Sequence, residues 1–365
     1  MSVLNIDNIL NETHIKSKKF GNYDVMFYNK TKIVEFNETT RNSRSVIVDN
    51  NEKRIVSLSP SKSLYLDEFI SSNPNFEDVI VEDFIEGTMI NLFWDMYKNQ
   101  WEISTKTTVG GNVIFFSSKT FNQMFYETIE FCKIELSSLN KSYSYSFVMQ
   151  HPCNRIVTAF VKPSLWLIEV YDMVSQTLLN RQSIIQEING DVKCPTIFNQ
   201  FLNYSELIHF YNENEVGSHS MGLVIRRRDT NIRTKIRNPT YEKIRLLRGN
   251  SSNLQYHYFT LVKEENVDEF LKYYPEYLTK IKKYASIDNK FINNLYKNYI
   301  SCYIKKNSRL NNFPKNYKTH MYYIHQIYLN QLKPNKKVVK YDIVEDYVKK
   351  LDNSLHMWSV NFDYY

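Results

Sequence analysis

The spacing of the apolar residues changes once along this chain, near residue 250, and this change limits the folds that the chain can adopt. Before it, apolar residues form runs of strand length, as in the alternating stretch 143–149 and the continuous stretches 164–172 and 221–227. After it, they recur three and four positions apart, which is the period of an α-helix. The pattern predicts an α+β domain over residues 1–250 and an all-α domain over residues 251–365.

Local patterns refine this division. Residues 79–95 combine β-branched and aromatic residues on both sides of Gly87, which predicts the two strands of one hairpin. In the second half, Pro275 is the one residue that disfavours a helix within an otherwise helical pattern. Helical spacing there predicts three helices, over 270–284, 292–303 and 343–351.

Composition excludes a disordered chain and favours a cytoplasmic one. Hydrophobic residues make up 42% of the chain, and we expect the 28 Tyr and 22 Phe to serve first in core packing, although their rings can also stack on bases. The four cysteines are far apart without a C-x-x-C pair, which favours a reducing compartment over a disulfide framework or a zinc site. The first residues resemble no secretory signal, and no apolar run approaches the ~20 residues of a membrane span. We therefore expect a cytoplasmic protein with no membrane contact.

Basic charge is concentrated in the second half. The net charge is +7, and residues 251–365 hold 18 Lys and Arg against 11 Asp and Glu, which accounts for the whole excess. No acidic residue occurs between Asp288 and Asp342, whereas lysines and tyrosines are interleaved there. This stretch fits RNA binding as well as it fits the solvated face of a tyrosine-rich helical core. The residues that we expect to contact an RNA backbone are Lys305, Lys306, Arg309, Lys336 and Lys337 in this stretch, and Arg226 and Arg228 in a second basic cluster upstream.

Several segments carry a further pattern, because they occur in a fixed order along the chain. They include FIEG (84–87), EISTKTTVGG (102–111), HPCNRIV (151–157), SLWLIEVYD (164–172), SMGLVIRR (220–227) and RTKIRNPTY (233–241). In this order they resemble the motifs of the phage-type and viral RNA ligases, a family of the covalent nucleotidyltransferase superfamily. The resemblance covers nearly the whole chain. It implies an RNA ligase-like nucleotidyltransferase domain of antiparallel sheets with flanking helices.

The resemblance also implies which residues surround a nucleotide pocket. It gives phosphate-contacting positions to Lys62, Lys106, Lys235 and Arg237, which are basic here as in the family. The family's nucleophilic lysine, which attacks the α-phosphate of a nucleotide, is replaced by Phe84. A phenylalanine ring has no amine with which to attack.

Three further positions depart from the family. The acid beside the motif lysine is present only as Glu86, and two motif glutamates are replaced by Val148 and Met221. Magnesium prefers carboxylate ligands, and an apolar side chain supplies none. The departures predict a degenerate member of the family that is not an enzyme and that uses no metal and no cofactor.

A function follows from the retained basic positions. We expect RNA as the partner, bound through a remodelled pocket that recognises a 5′ end or cap, because a ligase's activated RNA carries a 5′–5′ pyrophosphate that resembles a cap. Such a protein suits viral mRNA handling or translation, with protein partners in the same complex. Phe84 or Trp166 is expected to stack on a base. The expected pocket residues are Lys62, Phe84, Glu86, Lys106, Val148, Trp166, Met221, Lys235 and Arg237.

Two alternatives remain open from the sequence. In the first, the apolar residues have packed the pocket shut, and the basic surface serves a structural or scaffold protein that binds nucleic acid or protein. In the second, the protein is an active nucleotidyltransferase that uses a displaced lysine. The segment around Phe84 offers no such lysine.

Overall fold

The computed structural model describes residues 5–31, 33, 35–115, 117–213, 216–230 and 232–362. The chain divides into two compact units, residues 1–245 and residues 246–365. None of the helices in the described ranges has the length and apolar content that crossing a bilayer requires.

The first unit is built mainly of strands. In chain order they are β1 (Ile15–Phe20), β2 (Tyr23–Tyr28), β3 (Val46–Asp49), β4 (Arg54–Leu58), β5 (Val79–Asp83), β6 (Thr88–Asp95), β7 (Gln100–Ser104), β8 (Tyr143–Gln150), β9 (Ser164–Asp172), β10 (Thr177–Leu178), β11 (Val192–Lys193), β12 (Ile197–Phe198), β13 (Gly222–Arg227) and β14 (Arg233–Arg237). The helices up to residue 248 are α1 (Ile6–Asn11), α2 (Glu38–Asn42), α3 (Leu66–Ser72), α4 (Phe121–Phe131), α5 (Arg181–Glu187), α6 (Tyr204–Glu213) and α7 (Pro239–Arg248).

These strands form three sheets. The first is the antiparallel meander β1-β2-β3-β4, and the second has the order β10-β9-β8-β6-β7, with β11 added parallel to β9. The third has the order β12-β5-β13-β14 and is antiparallel throughout. The strands β8, β9 and β13 lie where the apolar runs predicted them.

The second sheet contains the largest core of the first unit. Alternate residues of β8, namely Tyr145, Phe147 and Met149, face the buried side of α4, where Met124 and Phe125 are fully enclosed. The opposite face of β8 carries small polar residues, because the first sheet packs closely there. This period of two explains why the alternation in the sequence marked a strand.

The predicted hairpin over residues 79–95 is wrong. The strand β5 pairs with β12 and β13 in the third sheet, whereas β6 pairs with β7 and β8 in the second. The residues between them cross from one sheet to the other. Gly87 does not make a hairpin turn: it lies at φ +147°, and a Cβ there would come within 2.5 Å of the Met149 carbonyl oxygen. Its lack of a side chain permits a close approach to β8.

The second unit is helical. Its α-helices are α8 (Leu254–Lys263), α9 (Val267–Tyr273), α10 (Leu278–Tyr299), α11 (Lys315–Ile327), α12 (Tyr341–Lys349) and α13 (Asn353–Val360). The helix predicted over 270–284 is broken, because Pro275 lacks a backbone N–H and starts a 3₁₀ turn between α9 and α10. No proline lies between residues 284 and 292. The end of the helix predicted over 270–284 and the start of the helix predicted over 292–303 therefore join in α10.

The core of this unit confirms the helical spacing. Phe291, Ile292 and Leu295 of α10 pack with Met321 and Ile324 of α11, and all five are buried. The expected fold class is confirmed: an α+β domain of antiparallel sheets with flanking helices is followed by a helical one.

Candidate functional site

One face of the third sheet carries three basic residues in a row. Arg233, Lys235 and Arg237 occupy alternate positions of β14, so their side chains leave the strand on the same side. Across the sheet, Lys235 of β14 pairs with Val224 of β13, and Val224 pairs with Glu82 of β5. The pairing brings the end of β5 close to the basic face of β14.

Beside this face lies a cavity of about 220 Å³. Five of the nine residues predicted for the pocket line it, together with Arg44 and Arg233, which the sequence did not single out for a pocket. A second cavity of about 260 Å³ shares Arg44 and Met89 with the first one. Ligand sites commonly measure about 300–1,000 Å³, so each of the two cavities alone is smaller than that range. The five predicted residues are Phe84, Val148, Met221, Lys235 and Arg237.

The ring of Phe84 lies against two basic side chains. The Nζ atom of Lys235 is 4.3 Å from the ring centroid, and the Cζ atom of Arg237 is 5.5 Å from it. Gly222 lies between Phe84 and Arg237 in the sheet, because its carbonyl oxygen accepts from Phe84 and it is the register partner of Arg237. Since Gly222 has no side chain, the Phe84 ring and the Arg237 side chain can approach each other. Phe84 continues the pairing of β5, because its N–H donates to the Gly222 carbonyl oxygen at 3.0 Å.

Lys235 has an unusual protonation state. Burial, and after it the neighbouring charges of Arg233, Arg44 and Arg237, lower its pKa to about 6. Among the described residues, no carboxylate lies within ion-pair distance of its amine. At neutral pH the side chain is therefore mainly a neutral amine that faces the cavity.

The arginines around the cavity differ in their ion pairs. Arg233 is buried and pairs with Glu169 at 3.3 Å, and Arg237 is exposed and pairs with Glu242 at 3.0 Å. Arg44 has no ion pair within the described part of the chain. Arg44 and Lys235 are thus basic groups of this cavity that form no ion pair with a carboxylate of the described residues.

Two carboxylates, those of Glu82 and Asp83, line the cavity, and Glu82 is already held in ion pairs. Glu82 pairs with Arg181 at 2.6 Å and also with Arg226. Burial acts to raise the pKa of Glu82, but the two arginines outweigh it and hold the pKa below its usual value. The described residues contain no group of three or more His, Cys, Asp or Glu side chains that suits a metal ion. Met221 has no oxygen atom with which to hold a magnesium ion.

Four residues predicted for the pocket lie outside this cavity. Trp166 donates from Nε1 to Gln150 Oε1 at 2.9 Å, and Lys106 lines the second cavity with its Nζ 4.6 Å from a tyrosine ring. Lys62 lines a different cavity of about 340 Å³. Glu86 is buried and structural: its carboxylate accepts hydrogen bonds from the N–H of Val157 at 2.7 Å and of Thr158 at 2.9 Å.

The residues predicted to contact an RNA backbone also differ in their exposure. Arg226 is largely enclosed, lines the same cavity as Lys235 and pairs with Glu82. Arg228 is exposed and donates from Nε to the Glu77 carbonyl oxygen at 3.2 Å. In the second unit, all five predicted residues are exposed: Lys305, Lys306 and Arg309 follow α10, and Lys336 and Lys337 follow α11.

Similarity to known proteins was found in sequence and in structure. No family model matches the chain. A curated RNA ligase of a Rhodothermus phage is 32% identical over 96 residues, which are 24% of this chain and 21% of that protein. The chain thus spans about a fifth of the length of the curated relative that it matches.

Two solved structures of ligases were found to be similar over part of the chain. The RNA ligase of Naegleria gruberi with pyrophosphate matches 51% of this chain and 57% of its own, at 14% identity and a TM-score of 0.39. A putative ATP-dependent DNA ligase from Aquifex aeolicus matches 77% of this chain and 70% of its own, at 15% identity and a TM-score of 0.42. The antiparallel sheets and the phage ligase match agree with the ligase-like nucleotidyltransferase fold predicted from the motifs.

The phage match corrects one expectation. The replacement of the motif lysine by Phe84 predicted that the protein is not an enzyme, and this prediction is wrong: the curated protein that the chain resembles is named an RNA ligase, so the likeness points to an enzyme. The structure offers a physical reason. Replacing one lysine did not remove every amine from the site, because Lys235 lies beside the substituted ring.

Proposed function

We propose that this protein is an RNA ligase-like enzyme that binds the 5′ end of an RNA, with the phosphates of a nucleotide in the cavity beside β14. The nucleotide is either free or joined to the RNA by a 5′–5′ pyrophosphate. The observation that carries the proposal is the convergence of Arg44, Arg233, Lys235 and Arg237 on one cavity.

The electrostatics of this cavity favour an anionic ligand. Gathering cationic groups in a partly buried site is unfavourable unless opposite charge accompanies them, and the described carboxylates of the first unit leave Arg44 unpaired. A phosphate group supplies that charge and accepts several hydrogen bonds from arginine. The depressed pKa of Lys235 reflects burial first and then the positive potential of the adjoining cations, which a phosphate would relieve.

The exposed basic residues of the second unit support RNA as the polymer. Lysines and arginines on a surface neutralise backbone phosphates and release counterions without reading sequence. In this proposal the cavity recognises the 5′ end of the RNA, and the basic helical surface adds affinity that does not depend on the chemical structure of that end. This surface taken alone also fits the alternative of a scaffold protein that binds nucleic acid.

The test is a binding series with one fluorescent RNA that carries, in turn, a 5′ hydroxyl, a triphosphate, an adenylyl-pyrophosphate or a methylated guanosine cap. We expect tighter binding of at least one phosphate-bearing end than of the hydroxyl end. Arg44→Ala should weaken that preference about tenfold, the loss expected for one charge-assisted hydrogen bond. Lys16→Ala, an exposed lysine of β1, is the matched control and should leave the preference intact.

Two results would contradict the proposal. Equal and steeply salt-dependent binding of all four RNAs would leave only the basic surface in use, which is the scaffold alternative. A preference for one end that survives Arg44→Ala would place end recognition elsewhere. Circular dichroism and thermal unfolding of each variant would show that the fold is retained.

A further inference from the structure

We infer that Lys235 is the nucleophile of this protein, and that its amine attacks the α-phosphate of a nucleoside triphosphate in place of the lysine that the motif lacks at Phe84. The inference rests on the proposed function, because it needs a nucleotide in the same cavity. It goes further by assigning a covalent step to one atom.

The position of the amine is the first support. In ligases that this chain resembles, the nucleophile leaves the segment now occupied by Phe84-Ile85-Glu86-Gly87. The Lys235 Nζ atom lies 4.3 Å from the centroid of the Phe84 ring, so an amine is present beside the substituted position although it comes from β14. Lys235 is also the one lysine that lines this cavity among the residues the structure describes.

The state of the amine is the second support. An amine attacks phosphorus only when it is unprotonated, and an ordinary lysine is protonated at neutral pH. Burial and the charges of Arg233, Arg44, Arg237 and Lys62 lower the pKa of Lys235 to about 6, which makes the unprotonated form the main one. Lysines activated in this way occur where an apolar wall and a second cation adjoin the amine.

The surrounding arginines perform the charge neutralisation that the reaction requires. A bound triphosphate raises the pKa of Lys235 by its negative charge, while Arg44, Arg233 and Arg237 limit that rise because they balance the phosphates. The acidic groups that line the cavity are Glu82, which is held by two arginines, and Asp83, whose pKa burial raises. Neither forms an ion pair with Lys235 that would keep its amine protonated.

The step balances without an oxidant, a reductant or a further cofactor. The lone pair of Lys235 Nζ forms a bond to the α-phosphorus, and the bond from that phosphorus to the bridging oxygen of the β-phosphate breaks. The electron pair of the broken bond leaves with pyrophosphate, and Nζ loses one proton to water. The product is a phosphoramidate that joins Lys235 to a nucleoside monophosphate.

Intact-protein mass spectrometry tests this step. The full chain is incubated with the magnesium complex of ATP or of GTP, and any adduct is located by peptide mapping. We expect a nucleoside monophosphate on Lys235, stable in alkali and lost in acid as phosphoramidates are. Lys235→Met should abolish the adduct, whereas Lys16→Met should leave its yield unchanged.

The pH profile distinguishes a nucleophile from a structural lysine. The rate of adduct formation should rise about tenfold per pH unit at low pH and level off at the pKa of the bound amine, which lies below the ordinary lysine value of 10.5. A rate that keeps rising up to pH 10.5 would overturn the inference that a lowered pKa activates the amine.

The outcomes also separate this inference from the proposed function. An adduct on a lysine other than Lys235 would overturn the inference. So would the absence of any adduct with ATP and GTP from a protein that still prefers a phosphate-bearing RNA end, and in that case the proposed function would stand. The absence of both the adduct and the end preference would overturn both.

Discussion

The Nζ atom of Lys235 lies 4.3 Å from the centre of the Phe84 ring, although the two residues are about 150 positions apart in the chain. The contact joins the end of β5 to β14 across β13. It places an amine with a pKa of about 6 at the position where the motif has lost its lysine. A local sequence motif can therefore lack a functional group that the folded site still contains.

Lys235 should reduce the stability of the fold at neutral pH. In the unfolded chain a lysine is protonated up to about pH 10.5, whereas Lys235 in the folded protein is protonated only below about pH 6. Between these values the unfolded state binds the additional proton, so stability rises with pH. We expect Lys235→Met to raise the free energy of unfolding at pH 7 by about 1–3 kcal/mol, after allowance for solvent screening.

Urea unfolding of Lys235→Met and of the unsubstituted protein at pH 7 and at pH 10 measures this effect. The gain should shrink toward pH 10, because both states then approach the same protonation. A gain that is the same at both pH values would show that packing, and not the desolvated charge, is responsible.

Gly222 should tolerate no side chain. It lies at φ +146° in β13, and a Cβ there would collide with the carbonyl oxygen of Ile236 in the paired strand. We expect Gly222→Ala to lower the free energy of unfolding by about 3 kcal/mol and to weaken end-selective RNA binding, since Phe84 and Arg237 meet across this residue. The measurement is chemical denaturation together with the RNA binding series.

Gly21→Ala is the matched control for Gly222→Ala. Gly21 also has a positive φ, of +59°, but no atom lies within 4 Å of a Cβ built there. Its substitution should cost only about 1 kcal/mol, the usual penalty of a left-handed conformation. Equal losses for the two variants would mean that the collision in β13 is relieved by movement of β14.

Glu86 should matter for stability and not for ligand contact. Its carboxylate accepts bonds from the N–H groups of Val157 and Thr158, and their loss leaves buried donors without an acceptor. We expect Glu86→Ala to lower the free energy of unfolding by about 3 kcal/mol, measured by urea unfolding, and to leave the end preference of the folded fraction unchanged. Glu77→Ala, at an exposed position, is the control. A changed end preference would place Glu86 at the ligand.

The basic surface of the second unit should control salt dependence. Removing one phosphate contact lowers the slope of log affinity against log salt by about one. We expect the double variant Lys336→Ala and Lys337→Ala to lower that slope by up to about two for all four RNAs, while their order of affinity stays the same. An unchanged slope would exclude this surface from RNA binding.

The local structure of the strands could be predicted from sequence, because burial on one or two faces leaves a periodic signal. This periodic signal predicts the strands β8, β9 and β13 and the spacing of the core residues in α10. The pairing of β5 could not be predicted: a turn-forming glycine at position 87 is compatible with a hairpin, and only the contact with Met149 shows that it serves a close approach. Glu86 was misplaced for a related reason, since its hydrogen-bond donors come from residues some seventy positions away.

The sequence by itself determined the period of β8, β9, β13 and α10 and the order of the ligase-like motifs, because these depend on neighbours within one helix turn or one strand. It also determined that position 84 carries no amine. The tertiary structure decided which side chains surround position 84. Arg44 lies in the turn before β3 and Lys235 lies in β14, and strand register brings Lys235 to Phe84. Burial and the adjoining cations then set the pKa of that amine, and neither can be read from a linear spacing of residues.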